Sequence, residues 1–92
     1  MNGTFGIAAF RSRTQVLRME EALRRAGLSA GVVSTPRQVA IGCGLSVRFE
    51  MSEYPQVMAV YRRLNPSALV GFYQVENFGT RSIRLTPLMH RD

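Results

Sequence analysis

Leu45, Val47 and Phe49 alternate with Ser46, Arg48 and Glu50, a period of two that fits a half-buried β-strand. On either side of this segment the period changes to that of a helix. Between Arg13 and Ala26, the apolar residues Val16, Met19, Leu23 and Ala26 share one helical face, with Leu17 on its flank. Ser12 supplies an N-cap oxygen, and Gly27 stands where a helix is closed by a left-handed residue. Glu20 with Arg24 and Glu21 with Arg25 are i,i+4 pairs in the favourable order. A second helix is expected from a Ser52 cap, with Pro55 in its first turn and Val57, Val60, Tyr61 and Leu64 as its apolar face. Asn65-Pro66 stops it.

Further strands are expected at Thr4 to Phe10, Leu28 to Ser34 and Ala68 to Val75. The order is then β-α-β-β-α-β within about 75 residues, two split β-α-β units. The predicted fold is an α+β, ferredoxin-like sandwich: a four-stranded antiparallel sheet with both helices on one face. The first and third strands would be central. Leu45, Val47 and Phe49 would face the helices, leaving Ser46, Arg48 and Glu50 on the other side. Phe72 and Tyr73 alternate, so one of them should face away from the helices. Residues 1–76 are taken as the domain and 77–92 as a C-terminal tail, in which Ile83 and Leu85 fit a short edge strand.

With 92 residues the chain is one domain and buries only about 60–65% of its unfolded surface, which favours function at a surface or loop over a deep cleft. A single cysteine excludes an internal disulfide, and no segment reaches the roughly 20 apolar residues of a spanning helix. A soluble cytoplasmic protein without membrane association is expected.

The net charge of +6 comes from twelve arginines and no lysine. Such a balance suits acidic partners, either nucleic acid or an acidic protein face. The arginines are scattered along the chain, so a solvated basic surface accounts for them equally well.

That single cysteine, Cys43, lies between Gly42 and Gly44, downstream of Thr35-Pro36-Arg37. Thr35-Pro36 opens a short helical turn reaching Ile41, which Gly42 ends. The flanking glycines free the backbone and leave the thiol approachable. Arg37 is a source of positive charge for a thiolate, and Arg48 a weaker one. The plain alternative is a small buried hydrophobe.

Thr35-Pro36-Arg37 followed at this interval by Cys43-Gly44, then the strand Leu45 to Phe49, resembles a family of small domains described as selenium/sulfur carriers. The opening strand ending at Phe10 and Ser12, and the helix with Glu20 or Glu21 before Gly27, are similar too. The resemblance covers roughly residues 4 to 75. Where the family has small hydroxyl residues, this chain has Ala40 and Ile41. The resemblance implies that Cys43 holds sulfur or selenium as a persulfide-type adduct, with Pro36, Arg37, Gly42 and Gly44 shaping and activating it. It implies a covalent carrier more than a turnover enzyme, loaded by a cysteine desulfurase or similar donor and unloaded by an acceptor protein.

Such transfer needs an accessible thiolate, with no metal and no cofactor. One Cys and one His, His90, do not make a zinc site, and a Cys–His nucleophile pair is not expected. Without a second cysteine, redox cycling within one chain is excluded. Two other classes remain open. A basic RNA-binding module would need stacking rings on the central strands, where Leu45 and Val47 stand instead. A regulatory or interaction domain would dimerise through its open sheet face.

Overall fold

The computed structural model describes residues 3–39, 42–77 and 83–90, with the backbone alone of His90. Its elements are β1 (Gly3–Phe10), α1 (Arg13–Arg25), β2 (Ala30–Ser34), β3 (Leu45–Phe49), a 3₁₀ turn (Met51–Glu53), α2 (Tyr54–Leu64), β4 (Leu69–Asn77) and β5 (Ile83–His90). All strand pairs are antiparallel, in the order β2-β3-β1-β4-β5. The α+β class, the two helices and the antiparallel sheet are as the sequence pattern predicts. The sheet has five strands, however, and not four. Ile83–His90 pairs along β4 from Asn77↔Ile83 to Gly71↔His90, so the sheet order departs from the four-stranded ferredoxin-like arrangement.

Parity along the strands divides the apolar residues between two faces. Ala8, Phe10, Val47, Phe49 and Phe72 meet Val16, Met19 and Leu23 of α1 and Val57, Met58, Val60 and Tyr61 of α2. Both helices therefore cover one face, and Val47 and Phe49 point to them as expected. The Phe49 ring lies across Gly6, where a Cβ would collide with it. It also stacks on Tyr54 at 5.9 Å and meets Phe72 edge-on at 6.0 Å between centroids. Fully burying each such ring contributes about 1.5–3 kcal/mol.

Local sequence accounts for most element boundaries. The Ser12 side chain accepts from the Gln15 backbone N–H at 3.2 Å, and Gly27 adopts φ +84° beyond α1. Both i,i+4 pairs of α1 form at 3.3 Å. Asn65 at φ +50° ends α2 in the left-handed conformation.

Three expectations are corrected. The residue capping α2 is Glu53, not Ser52, because Met51–Glu53 tightens into a 3₁₀ turn and delays the helix. On α2, the buried stripe is Val57, Met58, Val60 and Tyr61, and Leu64, the last residue of the helix, is 38% exposed. Ser46, expected on an open face, is 0% exposed.

That second face carries its own cluster: Ile7, Ala9, Tyr73 and Val75, with Phe5, Val33, Val39, Val70 and Leu85 around it. Among the described residues, no helix lies on it. The cation–π contact of Arg48 over the Phe5 ring, at 4.1 Å to the centroid, covers part of it. Along β5, the register shifts between Phe72 and Tyr73, where Tyr73 faces Pro87 and Phe72 faces Met89, leaving Leu88 as the extra residue. No helix among the described residues is long and apolar enough to cross a membrane.

Candidate functional site

The strand register sets the two ends of the sheet. β1 finishes at Phe10, beside Leu69 of β4 and one residue past the Ala9↔Ser46 pair with β3; Ser34 and Leu45 pair nearby. The opposite end carries Gly3, Asn77, Phe49 and Ala30. Cys43 belongs to the connection between β2 and β3, residues 35–44, and so sits at the Phe10 end.

Two hydrogen bonds fix this connection. The Thr35 N–H donates to the Gly44 carbonyl at 2.9 Å and closes the loop at its base. The Cys43 N–H donates to the Phe10 carbonyl at 3.0 Å and pins the loop to the end of the central strand. Between them the Val39 N–H donates to the Pro36 carbonyl at 3.0 Å, one tight turn. In place of the expected helical turn there is a single hydrogen-bonded turn over Pro36–Val39, not a helix; Ala40 and Ile41 lie outside the described residues.

The loop crosses from one face of the sheet to the other. Val39 packs on the outer cluster beside Ile7 and Tyr73. Cys43 packs against the helix-side core. The crossing requires backbone that only glycine adopts without strain. Gly42 has φ +138°, and a Cβ there would lie 2.9 Å from the Phe10 carbonyl oxygen. Gly44 has φ +87° with open space around it. The dihedral freedom read from the Gly-Cys-Gly sequence is thus used at both glycines.

Cys43 is a free, half-buried thiol. Its Sγ donates to the Leu45 carbonyl at 3.6 Å. That contact uses the thiol proton, so a sulfur acting as nucleophile has to turn away from Leu45. Pro36 is half-buried, while Gly42, Gly44 and Arg37 are exposed. Arg37 shares the loop with Cys43 but, among the described residues, makes no hydrogen bond or ion pair to it. Arg48 is on the outer face over Phe5, away from the thiol. For His90, only its place opposite Gly71 in β5 is described.

The pattern did not signal the residues that hold the site in place. Beneath the loop, the Thr35 and Ser46 hydroxyls meet at 2.7 Å, and this bond is what satisfies the buried Ser46. The Phe10 carbonyl, the last acceptor of β1, positions Cys43. No residue-type pattern encodes a backbone acceptor at a strand end.

A family described as "Putative Se/S carrier protein-like" matches residues 5–67, which holds most of β1, then α1 through α2 with the whole loop. The chain belongs to this family. The match takes in Pro36, Arg37, Gly42, Cys43 and Gly44 and stops before β4. No curated protein and no solved structure matches the chain.

Proposed function

We propose that the protein carries sulfur or selenium covalently on Cys43 and passes the atom to an acceptor protein. The observation that carries this reading is the position of Cys43: a free thiol between two positive-φ glycines, its N–H fixed to the end of the central strand, within the segment that the family covers.

The chemistry is an exchange of one bond for another. The Cys43 thiolate attacks the outer sulfur of a donor persulfide. The donor's S–S bond breaks as the new one forms, the donor leaves as thiolate, and no net oxidation occurs. Delivery is the same step with the acceptor as nucleophile and Cys43 as leaving group. Selenium follows the same course with the transferred atom changed. The donor class that fits is a cysteine desulfurase.

Each step needs an accessible, steerable sulfur, and the glycines supply access. Rotation of Cys43 about χ1 takes Sγ off Leu45 without moving the backbone, because the Cys43 N–H and the Gly44 carbonyl hold the main chain on both sides. The RNA-binding reading has less support: on the outer face Phe5 is stacked by Arg48 and Tyr73 is only 9% exposed.

Intact-mass spectrometry after incubation with a cysteine desulfurase and cysteine tests the proposal. The expected result is a gain of one sulfur, reversed by reductant, on the native chain and not on Cys43→Ser. No gain, under conditions that load another thiol carrier, would sink it.

A further inference from the structure

Charge on this molecule is sorted by the topology. The Glu20–Arg24 and Glu21–Arg25 pairs lie in the second half of α1, which runs away from Phe10. Glu50 follows β3, and Glu53 accepts from the Ser29 N–H ahead of β2 at 3.1 Å. Glu76 sits opposite Thr4 and Arg84. Among the described residues, Glu50, Glu53 and Glu76 are therefore at the end away from Cys43, and Glu20 and Glu21 are at mid-helix, paired with Arg24 and Arg25. Arg24, Arg25, Arg48 and Arg84 stand among these carboxylates.

At the Phe10 end the situation is reversed. Arg11 directly follows the residue whose carbonyl holds Cys43, and Arg13 opens α1. Arg37 is in the Cys43 loop, and Arg18 lines a surface hollow with Asn65, Pro66 and Ser67. All four are exposed, and none has a carboxylate within ion-pair distance among the described residues. Arg62 and Arg63 stand in the last turn of α2, and Arg63 lines a hollow between the two helices with Ala26, Leu28 and Gln56, so neither is counted in this group.

The magnitudes favour a real local field. An eight-residue strand separates its ends by roughly 25 Å. That is about three Debye lengths at physiological salt, so Glu50, Glu53 and Glu76 do not neutralise the basic end; Glu20 and Glu21 stand nearer, along α1 from Arg18, and are paired with Arg24 and Arg25. Uncompensated charge of one sign around a docking point steers an oppositely charged partner and raises its association rate.

Resting on the carrier reading, we infer that the Cys43 end is a docking face for an acidic patch on a protein partner, with Arg11, Arg13, Arg18 and Arg37 as its electrostatic ring. A protein fits better than nucleic acid. Single-stranded RNA is held by aromatic platforms as well as charge, and among the described residues no exposed aromatic ring stands at this end.

The field at Cys43 is read with two aromatic disulfides that react with the thiol and release a coloured thiol. One is the dianion dithiobis(nitrobenzoate); the other is neutral dithiodipyridine. At low salt the dianion should react several-fold faster than its intrinsic reactivity relative to the neutral probe predicts, and high salt should remove that excess. Arg11→Glu with Arg13→Glu should lower the dianion-to-neutral rate ratio about tenfold, the neutral rate moving only with the thiolate fraction, whereas Arg25→Glu at the far end should leave the ratio unchanged. An acidic residue in the first turn suits the helix dipole, and circular dichroism verifies that the fold persists. A ratio indifferent to salt and to both variants overturns the inference. A 16-nucleotide uridylate should be released by about 0.15 M salt, as expected of few phosphate contacts. A complex retained at that salt through Arg11 and Arg13 overturns it in favour of nucleic acid. Failure of sulfur uptake with the ratio intact removes the carrier reading; loss of the ratio with uptake intact removes the docking face.

Discussion

The two faces of the sheet are both buried, by different means. The helix side is sealed by two amphipathic helices whose stripes interlock with Phe10, Phe49 and Phe72. The other side buries Ile7, Ala9, Tyr73 and Val75 under strand side chains and one loop residue, Val39. The first is a core that regular structure builds. The second depends in part on the connection that carries Cys43. A functional loop in this chain is thus also a structural cover, and its two roles are separable by mutation.

The largest effect is expected on the helix side. Phe49→Ala removes a ring wedged between Gly6, Tyr54 and Phe72, and should cost about 3–5 kcal/mol in urea unfolding. A loss below about 1 kcal/mol would mean that the helices do not seal this face as described. Thr35→Val should cost less, about 1–3 kcal/mol, because it leaves the buried Ser46 hydroxyl without its partner. It should also loosen the loop over the outer face, seen as faster alkylation of Cys43. Ser46→Ala combined with Thr35→Val should recover part of the stability, since no buried polar group then remains unpaired.

The smallest effect separates the faces by pH. Tyr54 on the helix side and Tyr73 on the outer face both have phenol pKa values raised above 10.0, chiefly by burial, with Arg62 partly opposing the rise at Tyr54. A raised folded pKa means that the folded state holds its proton after the unfolded state has lost it. The associated stability is complete below pH about 10 and is lost as pH rises through the folded values. Denaturation at pH 8 and at pH 11 should show this fall, and Tyr54→Phe and Tyr73→Phe should each remove part of it. If only Tyr54→Phe does so, the outer face is wetter than its packing implies.

The sequence exposes these features unevenly. The alternation of Leu45, Val47 and Phe49 and the helical stripe of Val16, Met19 and Leu23 are legible because each is a local period imposed by one buried face. Ser46 misleads, since its polar type indicates solvent while a hydroxyl on another strand's loop makes its burial affordable. β5 is faint because Thr86 and Pro87 break its alternation; pairing with β4 decides it instead. At the site, Cys43 and its glycines are legible as a motif. The gathering of charge at one end is not, because Arg37 joins Arg11, Arg13 and Arg18 only once the 35–44 connection is pinned to the end of β1.

The fifth strand also bears on how this chain behaves among its own copies. A sheet grows by adding chains to an unbroken edge. Here one margin is β2, only five residues long, and the other is β5, interrupted by Pro87 and the bulge beside it. Neither margin offers a long straight row of donors and acceptors to template another copy. Self-association by strand addition is therefore disfavoured at both borders.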